Sequence, residues 1–207
     1  MKPKRNILLL ASLVALVLSA TAASANASPA WKFNKTELGS GVSETVVGGA
    51  ISSSLSIPGA TTECADFLYN MTVTDVGGKG KGEITELPLF ECKTTSSNCT
   101  VESIEAEKLP WPTHLVAVGS SDYLVVEGVN VGIVYSGKLC ALAGSLVRVK
   151  GTAGGIVENS TQTAKFDAAT FTATGTELKV GASAVEWNGL FPTEAFKSLR
   201  EEAIEVS

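Results

Sequence analysis

The chain has 207 residues, with 16 basic and 21 acidic side chains and a formal net charge of −5. Lys2, Lys4 and Arg5 belong to an N-terminal leader, so the remainder carries 13 basic against 21 acidic groups, a net of −8. A surface of that sign repels phosphate backbones and anionic headgroups, which argues against nucleic-acid binding and against docking on an anionic membrane.

The leader has three parts: basic "MKPKRN", apolar "ILLLASLVALVLSA" and small-residue "TAASANASPA". That order is the pattern of a secretory signal peptide. Ala23-Ser24-Ala25 and Ala25-Asn26-Ala27 both fit the cleavage rule, which predicts a cut after Ala25 or Ala27. The apolar run is shorter than the roughly 20 residues of a membrane span. No cysteine lies near the cut and no arginine pair precedes the apolar run, which disfavours lipid anchoring and twin-arginine export. The expected organisation is a signal peptide over residues 1–27 and a single secreted β-domain over 28–207, with no integral membrane span left after cleavage. About 180 residues suffice for a core of their own.

Residues 28–41 read as polar and irregular. Short β-like runs follow. "SLSIPG" ends on a Pro-Gly turn, and "FLYNMTVTDV" is aromatic and β-branched. "EITELPLFEC" contains Pro88, which predicts an edge strand or a bulge. "CTVESIEAEKL" alternates charged and uncharged residues, and "HLVAVG" and "DYLVVEG" are separated by "SS". "VNVGIVY" places Val129, Val131, Ile133 and Tyr135 on one strand face. "SLVRVKG", "TFTATG", "ELKVG" and "AVEWNG" extend the series. Strands at spacings of about 8–12 residues, with glycine-bearing turns, predict an all-β antiparallel sandwich or barrel. Helical periodicity is confined to "TEAFKSLREEA", residues 193–203, where Thr193 can cap a short C-terminal helix. The closing "AIEVS" reads equally well as a strand.

Cys64, Cys92, Cys99 and Cys140 all fall in the exported part, and an even number there reads as two disulfides. "ECKTTSSNCT" holds six polar residues between Cys92 and Cys99, which favours that local loop and leaves Cys64 for Cys140. On a chain-entropy model the short loop is worth about 2.5 kcal/mol and the long one about 4.5. A competing pairing follows if residues 77–80 form a hairpin turn, because Cys64 then lies nearly opposite Cys92. A metal site fits poorly: no spacing is C-x-x-C, and the sole histidine, His114, is far from every cysteine in sequence.

"DVGGKGKGE", residues 75–83, has the glycine and lysine content of a phosphate loop. A Walker-type loop needs Ser or Thr after the lysine and a helix behind it, and both are missing. It reads as a hairpin tip with solvated lysines, so no cofactor is expected. Any Ser-His-Asp triad must use His114, in "LPWPTHLVAV", yet "VGSSD" at 118–122 lacks the final glycine of a nucleophile elbow. Nothing singles out a carboxylate pair for glycoside hydrolysis. Trp111, held between Pro110 and Pro112, is a candidate ligand face, with a plug at the end of the barrel or sandwich as the alternative. Asn-x-Ser/Thr triplets occur at Asn34, Asn70, Asn98 and Asn159.

A signal peptide, a lone Cys64, the close pair Cys92 and Cys99, then "LPWPTHL", then Cys140 just before "AGSLVRV" form an ordered set over roughly residues 62 to 150. That order resembles a group of uncharacterised secreted proteins of high-GC Gram-positive bacteria. The resemblance implies an exported all-β domain with structural disulfides and carries no activity or functional residues with it. The expected function is a secreted, non-enzymatic β-domain that binds an extracellular ligand or protein. The alternative is a secreted hydrolase with a site built from carboxylates or His114.

Overall fold

The computed structural model describes residues 29–33, 36–38, 42–50, 52–74, 80–160, 163–192, 197–198 and 204–206. The segment expected as a signal peptide, most of the segment expected as a C-terminal helix, and residues 75–79 of the expected glycine-lysine hairpin lie outside the described residues.

The described chain is mostly strand, with one short helix. It opens with β1 (Trp31–Phe33), β2 (Thr36–Glu37), β3 (Ser43–Ala50), β4 (Ser52–Ile57) and the long β5 (Ala60–Thr74). The middle comprises β6 (Lys81–Glu86), β7 (Leu89–Thr94), β8 (Thr100–Ala106), β9 (Trp111–Val118), β10 (Ser121–Ser136) and β11 (Leu146–Glu158). Next come β12 (Thr163–Phe166), helix α1 (Ala168–Thr174), β13 (Leu178–Val180), β14 (Ser183–Pro192), β15 (Lys197–Ser198) and β16 (Ile204–Val206).

Every pairing between these strands is antiparallel, and β11–β13–β14–β4–β5–β6–β9–β10 returns to β11. The expected all-β fold is therefore present, with barrel-like closure rather than two separate stacked sheets. Closure removes most free edges, the general hazard of large antiparallel sheets.

Alternation along β10 supplies the wall of the core. Val129, Val131, Ile133 and Tyr135 are all buried, as their period of two requires. The sequence breaks this strand at "EG", but the structure carries it through. Between Val126 and Val129 the register against β11 shifts, and Gly128 sits at φ 67°. The glycine here makes a bulge instead of a turn, and two hydrophobic runs become one strand. By contrast, Pro58-Gly59 and Gly119-Ser120 do turn the chain, joining β4 to β5 and β9 to β10. Pro88 falls in the break between β6 and β7, where no ladder hydrogen bond is required of it.

"TFTATG" is the largest departure from the sequence reading: it lies in α1. Asp167 caps this helix by accepting from the Thr170 amide at 2.9 Å, and the Thr170 hydroxyl accepts from the Asp167 amide in return. Gly175 ends it at φ 65°. The hydroxyls of Thr172 and Thr174 donate to the carbonyls of Ala168 and Thr170, so the β-branched residues are accommodated by bonding back along the helix. Phe171 is buried and anchors the helix against β11.

Within the segment expected to be irregular, Trp31–Phe33 and Thr36–Glu37 are strands. β1 pairs with β2 and with β16, with Trp31 opposite Val206. The side-chain amide of Asn159 grips β16 at both backbone groups of Val206, accepting from its N–H at 2.9 Å and donating to its C=O. The final "AIEVS" is thus strand over Ile204–Val206, and Lys197–Ser198 pair with β3.

The disulfide pairing favoured by the short loop is not the one formed. Cys64 bonds Cys92 and Cys99 bonds Cys140. Register decides this: Cys64 and Cys92 are opposite partners on β5 and β7, with Cα atoms 4.0 Å apart. The β5–β6 hairpin swings the chain back so that β7 lies beside the first half of β5. Thr74 pairs with Lys81, so the glycine-lysine stretch joins two antiparallel strands and leads into β6, not into a helix.

Candidate functional site

The register of the ladder assembles a polar face that no single segment displays. Ser54 lies opposite Asn188 on one side and Glu63 on the other, and Glu63 lies opposite Lys93. Asn188, Ser54, Glu63 and Lys93 therefore form one row across β14, β4, β5 and β7. A second row runs alongside: Lys165 opposite Leu190, and Leu190 opposite Ser52. Ala65, two residues on from Glu63, shares its face.

These rows line an open trough of about 700 Å³. Its concavity comes from side-chain length. Ser52, Ser54 and Ala65 are short and leave a low floor, while Lys93, Glu63, Lys165 and Leu190 rise around it. At one end Lys165 Nζ contacts Asp167 Oδ2 at 2.7 Å. That contact, with the Thr170 amide, holds the Asp167 carboxyl below the usual carboxylate range and raises the Lys165 ammonium. Neither Glu63 nor Lys93 is ion-paired to any described residue.

The opposite face of the same strands is dry. Trp187 stacks on Phe166 with ring centroids 4.7 Å apart and donates from Nε1 to the Ser53 hydroxyl at 2.8 Å. Thr62 and Tyr135 share a buried hydrogen bond of 2.7 Å, and burial raises the Tyr135 phenol. These groups support the trough from below and fix the strands that carry it.

Trp111 belongs to this interior. It is 3% exposed, its Nε1 donates to the Glu107 carbonyl at 2.9 Å, and its ring lines a cavity of only about 50 Å³. An apolar protein cavity that takes up benzene has a volume of about 150 Å³. Trp111 is thus a plug and not an exposed ligand face; the flanking prolines set its backbone, but the closing barrel buries its ring. Arg148 hydrogen-bonds the Glu107 carboxylate at 2.9 Å and holds it below the usual range, tying down the segment that covers the ring.

His114 lines a separate notch of about 490 Å³ with Lys81 and Glu127. The β10 bulge brings Glu127 beside it, with Nδ1 to Oε1 at 3.3 Å. Among the described residues no serine or aspartate lines this notch, and the hydroxyl of its Thr113 is buried against the Met71 sulfur at 4.0 Å. Asp122 of "VGSSD" is three residues from Val125, the register partner of His114. It therefore points to the other face, about 10 Å along the strand. Its carboxyl is raised by burial, without a histidine partner.

All four cysteines are consumed by the disulfides. Two of the Asn-x-Ser/Thr asparagines are engaged, Asn70 with Glu86 and Asn159 with Val206, whereas Asn98 is exposed in a turn and Asn34 lies outside the described residues. A scan against protein-family models found no match, and searches of curated proteins and of solved structures returned none either.

Proposed function

We propose that this chain is an exported, non-enzymatic β-domain that binds a ligand in the trough over β14, β4, β5 and β7. One observation carries the reading. Hydroxyl, amide, carboxylate and ammonium groups from four strands converge on one concavity, and Glu63 and Lys93 within it keep their charges unengaged by described neighbours. Two disulfides and the resemblance to exported all-β proteins support the extracellular setting. No helix among the described residues is long and apolar enough to cross a membrane.

The hydrolase reading has one supporting feature, the His114–Glu127 contact. Among the described residues the hydroxyl lining its notch is that of Thr113, which is buried against Met71 and away from the imidazole, so the binding reading is preferred. The test is a binding screen against immobilised cell-wall, glycan, lipid and protein probes, run on the wild type and on Ser54→Trp. An indole at residue 54 fills the trough floor. Binding by the wild type that is lost in a folded Ser54→Trp protein supports the reading. Binding unchanged by the substitution, or none to any probe, overturns it.

A further inference from the structure

We infer that the ligand of the trough is an extended, uncharged, polyhydroxylated chain, a neutral glycan; this rests on the trough being the binding face.

The floor strands withhold their backbone from a ligand. In this stretch β14 is paired with β12 and β4, β4 with β14 and β5, and β5 with β4 and β7. Their backbone amides and carbonyls are committed to the ladder. Peptides that bind sheets by strand addition need a free edge; the floor strands β14, β4 and β5 have none, and β7, paired among the described strands with β5 alone, keeps one only at the end of the trough. Recognition on the floor runs through side chains.

The side chains along the row offer mixed donors and acceptors. Ser52 and Ser54 donate and accept, Asn188 does both through separate atoms, Glu63 only accepts and Lys93 only donates. A hydroxyl group satisfies any of these, because it is itself both donor and acceptor. A ligand rich in hydroxyls therefore engages the whole row whatever its orientation.

Within the trough Lys93 and Lys165 are balanced by Glu63 and Asp167, and the chain as a whole is acidic. A polyanion gains no local field and meets long-range repulsion, and a polycation finds no net negative floor. A neutral chain pays neither penalty.

The trough crosses five strands, β12, β14, β4, β5 and β7. Four inter-strand steps of about 4.8 Å give roughly 19 Å, which suits an oligomer better than a single sugar. The Phe166 ring is buried and lies beside Trp187 on the interior face, so hydrogen bonds and not aromatic stacking carry the contact.

The experiment is calorimetric titration of the full chain with maltohexaose, cellohexaose and chitohexaose. Polygalacturonate and a pool of mixed hexapeptides serve as the charged and peptidic counterparts. Each titration is repeated on Ser54→Trp and on Glu63→Gln, with circular dichroism confirming the fold. The inference predicts that at least one neutral hexasaccharide binds, that raising NaCl from 50 to 500 mM changes its affinity less than twofold, that Glu63→Gln weakens it about three- to tenfold, and that Ser54→Trp abolishes it. Binding of polygalacturonate or peptides alone, lost in Ser54→Trp, overturns the glycan assignment and leaves the trough as the binding face. Binding of any probe that is indifferent to both substitutions, or no binding at all, overturns both. If Ser54→Trp does not fold, Glu63→Gln decides alone, and an unchanged affinity there counts against the inference.

Discussion

The trough over β14, β4, β5 and β7 and the notch beside His114 are both concave and polar, yet they are made in different ways. In the trough, register lines up short residues at the floor and long ones at the wall, and Glu63 and Lys93 are left unpaired among the described residues. In the notch, a bulge carries Glu127 to His114, and those two groups engage each other. The difference teaches that a polar depression becomes a binding candidate when its groups are unspent. A lone histidine draws the eye in the sequence, but here its neighbour already occupies it.

The comparison can be broken from the trough side. The Cys64–Cys92 bridge fixes β7 to β5 under the trough and lies apart from the notch. Replacing both cysteines by alanine should lower the unfolding free energy by about 3.6 kcal/mol on the chain-entropy model for its 28-residue separation. Urea denaturation of the oxidised proteins measures this. A loss below 1 kcal/mol would mean that β7 is held by the ladder alone.

Filling the trough should have the next largest effect. Ser54→Trp should reduce ligand affinity more than tenfold, over about 1.4 kcal/mol of binding free energy. It should move stability by no more than about 0.5 kcal/mol, since the site is on the wet face. Paired binding and thermal melts separate the two effects.

Asp167 joins the trough to α1 through its contacts with Lys165 and the Thr170 amide. Asp167→Ala should cost about 1 kcal/mol, the usual worth of a helix N-cap. The pH dependence has a definite sign. The folded state favours the ionised carboxyl, whose pKa is lowered chiefly by the Lys165 hydrogen bond. Its contribution is therefore complete above the unfolded value of about 3.9 and is lost as pH falls through the lower folded value. Wild-type stability should fall more steeply below about pH 4 than that of Asp167→Ala. Parallel slopes would show that the ion pair contributes nothing.

The smallest effect belongs to the notch. His114 and Glu127 are 35% and 52% exposed, so His114→Ala should change stability by less than about 0.5 kcal/mol. Trough binding should be unaffected, which the same titrations report.

Much of the fold can be read from residues alone. The alternation of Val129, Val131, Ile133 and Tyr135 points straight to the core, and Pro58-Gly59 marks a true hairpin turn. Helix α1 is hidden because Thr170, Thr172 and Thr174 score as strand formers. Its visible signal is the Asp167 cap three residues ahead of Thr170, with Gly175 behind. The disulfides turn on register, which the short Cys92–Cys99 loop does not reveal. The trough is the least legible feature. Ser52 and Ser54 look like any wet strand face, and only long-range pairing sets Asn188 beside Ser54. Trp111 looks available because its neighbours in sequence are loop formers, whereas the neighbours that bury it are distant strands.

One measurement tests the central claim most directly. Backbone amide shifts of the isotopically labelled protein can be followed while a ligand identified in the binding screen is added, with Ser52, Ser54, Glu63 and Asn188 reporting on the trough and His114 and Glu127 on the notch. The account predicts saturating shifts at the four trough residues and none at the notch. Shifts centred on His114 and Glu127, with the trough silent, would contradict it.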